Sequence, residues 1–339
     1  MNKAIVAVSF IFFFSMTQAF AQGNSSNANG QPFQSLQDQI NNLQAQVNAL
    51  QLGSSNAPIN LAVDCSIGET INGAINSLGG AVNQLTIEIT GECVEEVYLR
   101  RSNVHLQGVS SDAGITGNIA LIALDGASNI SADSLTLDGG TAAIGCLDSA
   151  SMLATNMVLE NSYYGVMALY GGACDIRDSI VQNNSLGMLI SSNGVVDAKG
   201  VTVQYNSGPA ANVSTGGSLT FNSSDAGPSR VNNNTYGVSV FSNGSLRPNN
   251  VVIEDNLSHG INLFSAGAMF TNGGLIIRNN AGHGIIVQPL TTAYFAGSVN
   301  INNNDFWGLV CTGVHSVAEL DNVSAAGNLS GDIMGGCAF

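Results

Sequence analysis

The feature that most constrains the fold is a short pattern, Asn-x-x-x-Gly followed by an alternating apolar stretch, which returns between about residues 137 and 332. Successive anchor asparagines are 22 to 27 residues apart. A repeat of this length predicts a solenoid, because so short a unit cannot bury its apolar face without a neighbour. The anchors are Asn161, Asn183, Asn206, Asn233, Asn256, Asn280, Asn304 and Asn328.

The residues after each anchor predict strands rather than helices. Two apolar residues flank one polar residue, as in Val238-Ser239-Val240, and this period of two places the apolar side chains on one face. Two more β-rich runs, such as 251–253 and 275–277, fill each repeat. Three short strands in each turn predict an all-β protein, a parallel β-helix of about ten coils.

The anchor asparagines have a predicted structural role. A tight turn between two strands of a coil needs backbone near the left-handed region, where Asn is tolerated and most other residues cost about 1–2 kcal/mol. Stacked coils then place each Asn about 4.8 Å from the next, so that side-chain amides can hydrogen bond along the column. We therefore predict an asparagine ladder.

Four segments carry a resemblance to a known family. The repeat over 231–240 and the stretches 63–65, 86–93 and 104–108 resemble the right-handed parallel β-helix proteins of the pectin-lyase-like superfamily, over residues 60 to 339. The resemblance implies a right-handed, extracellular β-helix. It does not imply one activity, because that superfamily contains lyases, hydrolases, epimerases, adhesins and inactive members.

The first 32 residues are typical of an exported protein. Residues 1–21 combine Lys3, an apolar run over 4–14 and the small-x-small sequence Ala19-Phe20-Ala21, which predicts a signal peptide. Residues 22–32 are rich in Gln, Asn, Ser and Gly, which predicts a flexible linker. We expect a secreted, periplasmic or cell-surface protein without a membrane span.

Residues 33–52 show a heptad pattern that predicts a short helix. The a positions are Phe33, Ile40 and Val47, and the d positions are Leu36, Leu43 and Leu50. Such a stripe favours self-association, so we predict a homo-oligomer, a dimer or a trimer, held through residues 33–50. The alternative is an amphipathic helix that packs on the end of the solenoid.

The β-helix domain is predicted to cover residues 59–339, with an N-terminal cap and first coil at 59–108. Ile71, Ile75 and Leu78 fall on one face of a helix that would cover the open end of the stack.

Six cysteines in an exported chain predict disulfides. Cys65 and Cys93, on either side of the cap helix, are the best candidate pair. Pairing of Cys146 with Cys174 and of Cys311 with Cys337 is plausible, but Cys146 and Cys311 also fit as buried apolar residues.

The charge excludes several classes of partner. The chain has 8 basic and 23 acidic residues, a net charge of −15. Such a surface repels nucleic acid and anionic membranes. It also disfavours highly acidic polysaccharides unless a divalent cation lies between protein and ligand.

One group of four residues is a candidate for catalysis. Asp175 and Arg177 should point outward from one strand, and Asp197 and Lys199 from the corresponding strand of the next coil. Stacked acids beside stacked bases are the means by which β-helix lyases hold Ca²⁺ and remove a proton next to a uronate. The same four residues are equally typical of a solvated strand with cross-strand ion pairs.

A column of rings is a candidate for carbohydrate binding. The residues before the repeated glycines in the last four coils are Tyr236, His259, His283 and Trp307. Such rings can stack against sugars, or they can pack on one another over the turn. We therefore predict a secreted, non-catalytic binding or structural module of the cell surface or extracellular matrix, which contacts a polysaccharide or surface glycan without a cofactor. The alternative is a Ca²⁺-dependent polysaccharide lyase of the pectate-lyase type that uses Asp175, Arg177, Asp197 and Lys199.

Overall fold

The computed structural model describes Ile40 and residues 58–78, 83–313, 316–318, 320–334 and 337. The chain divides into two units, residues 1–54 and 55–339. The predicted signal peptide and linker lie outside the described residues, as does the predicted helix 33–52 except for Ile40, which is helical and 50 % exposed. The second unit contains all the strands given below.

This unit is a parallel β-solenoid, which confirms the predicted all-β fold. One strand of each coil pairs with the strand of the next coil to form a twelve-stranded parallel sheet, sheet A. Its strands, numbered in chain order with those of sheet B, are β1 (Ile59–Asp64), β2 (Leu85–Thr90), β5 (Val104–Gly108), β7 (Ile130–Asp133), β9 (Ser151–Thr155), β12 (Ala173–Arg177), β15 (Val195–Lys199), β18 (Ser218–Asn222), β21 (Ser245–Pro248), β24 (Ala268–Thr271), β27 (Thr292–Phe295) and β30 (Ser316–Ala318).

The remaining strands form sheet B, to which most coils contribute two strands. In the coils of β6 and β8 these two strands are merged into one long strand. The strands are β3 (Glu92–Val94), β4 (Val97–Leu99), β6 (Gly114–Ala123), β8 (Thr136–Cys146), β10 (Val158–Glu160), β11 (Tyr164–Ala168), β13 (Ile180–Gln182), β14 (Leu186–Ile190), β16 (Thr202–Gln204), β17 (Pro209–Val213), β19 (Ser229–Asn232), β20 (Tyr236–Val240), β22 (Val251–Glu254), β23 (Ile261–Leu263), β25 (Leu275–Arg278), β26 (Ile285–Val287), β28 (Val299–Asn302), β29 (Trp307–Cys311), β31 (Val323–Ala326) and β32 (Gly331–Ile333).

The solenoid has about twelve turns, so the prediction of about ten coils was too low. The sequence estimate relied on the repeated asparagines, the first of which is Asn161. The coils built from β1 to β9 precede that residue and lack the pattern, so their number could not be read from it.

The core is a set of inward-facing columns that follow the predicted alternation. Each apolar residue lies in register with its counterpart one coil away, and the coils are about 4.8 Å apart. One fully or almost fully buried column consists of Val166, Met188, Ala211, Val238, Ile261, Ile285 and Leu309. The apolar side chains therefore stack along the solenoid, and each coil buries the inner face of its neighbours.

An asparagine ladder is present, but three of its rungs differ from the prediction. In each rung the side-chain oxygen accepts a hydrogen bond from the backbone N–H of the preceding rung. Asn206 Nδ2 also donates to Asn234 Oδ1 at 2.8 Å, and Asn280 Nδ2 donates to Asn304 Oδ1 at 3.0 Å. Beginning with a serine, the rungs are Ser162, Asn184, Asn206, Asn234, Asn256, Asn280, Asn304 and Asn328.

The predicted residues Asn161, Asn183 and Asn233 lie one position before the ladder. They occupy the left-handed region, with φ near 55°, and in later coils Asp255 and Asn279 occupy this position. The predicted anchors therefore combine residues from two separate columns. The residues of one column have positive φ, and those of the other provide the buried amides.

The physical reason for the error is a change in turn length. Gly237 lies three positions after Asn234, whereas Gly284 lies four positions after Asn280. A constant spacing of four placed the anchors of the shorter turns one residue too early.

A short helix, α1 (Ile71–Ser77), lies at the N-terminal end of the solenoid. Ile71 is fully buried in the core, and Ile75 and Leu78 are partly buried against it. The Thr70 hydroxyl accepts a hydrogen bond at the helix N-terminus. The carboxylate of Glu95 accepts bonds from the N–H of Ile71 and of Asn72, at 2.5 Å and 3.0 Å, so a neighbouring coil also caps this helix.

Three disulfides join the six cysteines, including the predicted pair Cys65–Cys93. The other two pairs are those left open by the sequence, Cys146–Cys174 and Cys311–Cys337. All six cysteines belong to, or pack against, the apolar core. Each bridge closes a loop of about one coil, with sequence separations of 26 to 28 residues. Among the described residues, no helix has the length and apolar character needed to cross a bilayer.

Candidate functional site

The outer face of sheet A carries a shallow groove of about 380 Å³ over β7, β9, β12 and β15. Its apolar surface is provided by the outward-facing residues Leu153, Ala173 and Val195. The buried residues Ile130, Met152 and Cys174 also line it. Polar groups surround this surface, supplied by Asn129, Ser131, Ser151, Asp175 and Asp197. The groove thus combines an apolar patch with several hydrogen-bonding groups.

These residues meet because the strands are in register. Ser131 pairs with Leu153, Leu153 with Asp175, and Asp175 with Asp197. His105 precedes Ser131 in the same outward column, and its Nδ1 lies 2.7 Å from the Ser131 hydroxyl. The sequence pattern indicated the two aspartates but not the remaining groove residues, because no motif marks those residues.

The structure brings Asp175, Arg177, Asp197 and Lys199 together, as their predicted register requires. Arg177 binds Asp175 through two hydrogen bonds, Nε to Oδ1 at 3.0 Å and Nη2 to Oδ2 at 2.5 Å. Lys199 Nζ lies 2.7 Å from Asp197 Oδ2 and 3.7 Å from Asp175 Oδ2. The four residues therefore form a charge-balanced ion-pair network.

This network does not suit proton abstraction by Arg177. The hydrogen bonds from Arg177 to Asp175, and then the negative charge of that carboxylate, raise the pKa of the guanidinium above its ordinary value. A general base needs a pKa near the working pH, so this change is in the wrong direction.

The same network provides few ligands for a calcium ion. Ca²⁺ takes six to eight oxygen ligands, whereas the groove brings together two carboxylates, both already paired with cations. Within the described part of the chain, three side chains of metal-binding type come close together at Cys65, Cys93 and Glu95. The two sulfurs of that group are bonded to each other, so they are not thiolate ligands.

In the predicted column, Tyr236 and Trp307 begin β20 and β29, whereas His259 and His283 lie two residues before β23 and β26, in the turns that lead into sheet B. The His259 and His283 rings stack with centroids 5.1 Å apart. Their Nδ1 atoms accept hydrogen bonds from the next coil, His259 from the His283 N–H at 3.0 Å and His283 from the Trp307 N–H at 3.2 Å. Each imidazole thus acts as a backbone acceptor between coils, which leaves Nε2 as its protonated nitrogen.

Burial lowers the pKa of both His259 and His283, and the neighbouring His283 lowers that of His259 further. The half-buried rings cover one another, so their flat faces are largely inaccessible to a sugar. The predicted carbohydrate role of this column stays a prediction, and its contacts favour the packing alternative.

A second pair of rings lies on sheet A, where the sequence analysis had not placed one. Phe270 and Tyr294 are paired in register, and their rings are parallel within 2° with centroids 5.0 Å apart. Phe270 is 40 % exposed. Alignment of the sheet A strands by their buried positions would have revealed this pair in the sequence.

No family model and no curated protein matches the sequence. A similar solved structure is the A-module of the mannuronan C-5 epimerase AlgE4 from Azotobacter vinelandii, with 14 % identity, a TM-score of 0.50 and coverage of 78 % of this chain and 94 % of that chain. Another is the A-module of AlgE6 from the same organism, with 14 % identity, a TM-score of 0.45 and coverage of 77 % and 91 %. The likeness to the AlgE4 A-module establishes a shared fold, the parallel β-helix.

Proposed function

We propose that this chain is an exported β-helix protein that binds polysaccharide on the outer face of sheet A without altering it chemically. The observation that carries the proposal is the groove, in which apolar surface and hydrogen-bonding side chains are combined. Sugar rings present both C–H and hydroxyl groups, and binding sites for small ligands commonly combine apolar walls with a few placed polar groups.

The local charge favours neutral sugar residues in the groove itself. Asp175 and Asp197 are balanced by Arg177 and Lys199, so no positive charge remains there to attract an acidic sugar. Paired carboxylates still accept hydrogen bonds from sugar hydroxyls, and the Ser131 and Ser151 hydroxyls add donors. A polysaccharide is also the ligand class in the name of the similar A-module, a mannuronan epimerase.

The ion-pair network favours binding over catalysis. An enzyme that removes a proton would need a free base in the groove, whereas the Lys199 ammonium lies within ion-pair distance of two carboxylates. The alternative of a Ca²⁺-dependent lyase would require a cation to break these pairs. We therefore rank it second.

Further elements of the proposal come from the sequence. The solenoid is right-handed and of the pectin-lyase-like type, and the protein acts at the cell surface or in the extracellular matrix. Residues 33–50 assemble it into a dimer or trimer, so that several sheet A faces can contact one polysaccharide at once. Such multivalency raises the overall avidity without any new contact.

A blocking substitution tests the groove. Ala173→Trp places a ring in the groove, and Thr202→Trp adds the same ring to an outward position of β16 on sheet B as a control. Screening of the full chain against neutral and acidic oligosaccharides should reveal a ligand. In calorimetry, this ligand should bind at least about tenfold more weakly to Ala173→Trp than to the wild-type chain. Its affinity for Thr202→Trp should be unchanged. Equal affinities of the two variants would place the binding site elsewhere. Unsaturated uronides released by the wild-type chain would favour the lyase.

A further inference from the structure

One basic side chain differs from five others that the structure describes in having no acidic partner. Arg247 is exposed, and within the described residues its guanidinium has no ion pair or side-chain hydrogen bond. Five other basic side chains of the same region are paired with carboxylates: Arg100, Arg177, Lys199, Arg230 and Arg278. In a chain with a net charge of −15, an unpaired exposed guanidinium is a specific positive point on an acidic surface.

Arg247 lies on sheet A in the outward column that also forms the groove. It pairs in register with Thr220, which in turn pairs with Asp197. Its chain neighbours Leu246 and Pro248 are buried, so Arg247 points away from the core. The outward residues of the strands on either side are not acidic: Ser218, Thr220 and Asn222 on β18, and Ala268 and Phe270 on β24.

The stacked rings of Phe270 and Tyr294 continue this column beyond Arg247. The paired strands place Ser245 opposite Ala268 and Leu246 opposite Met269. The Thr271 hydroxyl then donates to the Pro248 carbonyl at 3.1 Å, so the alignment continues and sets Phe270 beside Arg247. The rings are stacked with centroids 5.0 Å apart, Phe270 is 40 % exposed and Tyr294 is partly exposed, so the pair presents apolar surface to the solvent. A free cation therefore adjoins exposed apolar surface.

We infer that Arg247, Phe270 and Tyr294 form a subsite for a sugar that bears a carboxylate, a uronate residue of the bound polysaccharide. The planar guanidinium matches a carboxylate through two parallel N–H···O bonds, and the exposed part of the rings provides apolar surface for sugar C–H groups. This inference rests on the proposed polysaccharide binding and adds to it the chemical class of one sugar residue.

The distance between the two parts of the face sets the length of the ligand. Leu153 in the groove and Arg247 are separated by four coil steps through Asp175, Asp197 and Thr220. At about 4.8 Å a step, the groove centre lies about 19 Å from the guanidinium. An oligosaccharide of several residues is needed to reach both, with uncharged contacts in the groove and its carboxylate at Arg247.

The test compares a neutral oligosaccharide of several residues that carries a single uronate with its methyl ester, which has the same backbone without the charge. Calorimetry on the full chain should show that the acid binds about tenfold more tightly than the ester, as expected for charge-assisted hydrogen bonds. Arg247→Gln should reduce this ratio to about one, and Arg247→Lys should keep part of it. Arg100→Gln, at an exposed arginine paired with Asp125, is the matched control and should leave the ratio unchanged.

The outcomes separate this inference from the proposed function. If both oligosaccharides bind, Ala173→Trp weakens both, and Arg247→Gln leaves the ratio unchanged, the polysaccharide-binding face stands and the uronate subsite is wrong. If the full chain binds neither form, the subsite is overturned as well. Equal loss of both forms in Arg247→Gln, with normal unfolding behaviour, would mean that Arg247 contacts the sugar backbone rather than a carboxylate.

Discussion

The asparagine ladder gives a sharp prediction, because two adjacent asparagines occupy different columns. Asn234 is a ladder rung and is fully buried, whereas Asn233 precedes it with φ of 55°. We compare Asn234→Ala, which removes the amide, with Asn233→Gly, which keeps a residue that tolerates positive φ. The two changes lie one residue apart, so general disturbance of the turn affects both.

The hydrogen bonds of Asn234 set the magnitude. Its Oδ1 accepts from the N–H and the Nδ2 of Asn206, at 3.1 Å and 2.8 Å. Its Nδ2 donates to the carbonyls of Val203 and Asn232 and to Asn256 Oδ1, at 3.0 to 3.1 Å. Loss of these bonds at about 1 kcal/mol each gives a destabilisation of about 4–5 kcal/mol, since the partners are left buried. Asn233→Gly should cost within about 1 kcal/mol, mainly through the entropy of the unfolded chain.

Denaturant unfolding, monitored by circular dichroism, measures both effects. The dependence of the unfolding free energy on denaturant concentration is compared between variants, because a change in this slope reveals partial unfolding. Solenoids can unfold in parts, so hydrogen exchange of the coils beside Asn234 is the second readout. Equal losses for the two variants, or a larger loss for Asn233→Gly, would refute the assignment of the rungs.

Three further predictions concern other parts of the chain. The double change Cys146→Ser and Cys174→Ser should lower the free energy of unfolding by about 3.5 kcal/mol in the chain-entropy model, as measured by denaturant unfolding. Deletion of residues 22–52 should convert an oligomer into a folded monomer; a monomer mass for the full chain in light scattering would contradict this. Because burial lowers the pKa of His259 and His283, their contribution to stability should be complete above about pH 6.5 and lost as the pH falls through the lowered values. The thermal midpoint should therefore decrease on acidification, and less so in His259→Gln/His283→Gln.

The buried residues and the presence of a ladder could be predicted from the sequence, because both follow from the pattern within a single repeat. Alternation placed Val238 and Val240 inside, and both are buried. The ladder was predicted in kind but not in register, since doublets such as Asn183-Asn184 offer two candidates for one rung. Only the hydrogen bonds identify the second residue as the rung.

The binding face could not be predicted in the same way. Leu153, Asp175 and Arg247 become members of one column only when the register of separate coils is known. The sequence distances between successive members of this column vary from 22 to 27 residues. The stacking of His259 and His283 was predicted, but not the use of their Nδ1 atoms as acceptors for the next coil.

The longest coil explains how this fold can keep its register while the outer face changes. Asn206 and Asn234 are 28 residues apart, yet their side chains are joined at 2.8 Å as in shorter coils. The additional residues lie between β18 and β19, where the Ser224 hydroxyl donates to Asp178 two coils earlier. Because the insertion is confined to a turn, the inward columns and the ladder remain continuous on both sides of it. Outward residues such as Arg247 can therefore differ without disturbing the stacking of the coils, because the sheet pairing, the buried columns and the ladder maintain it.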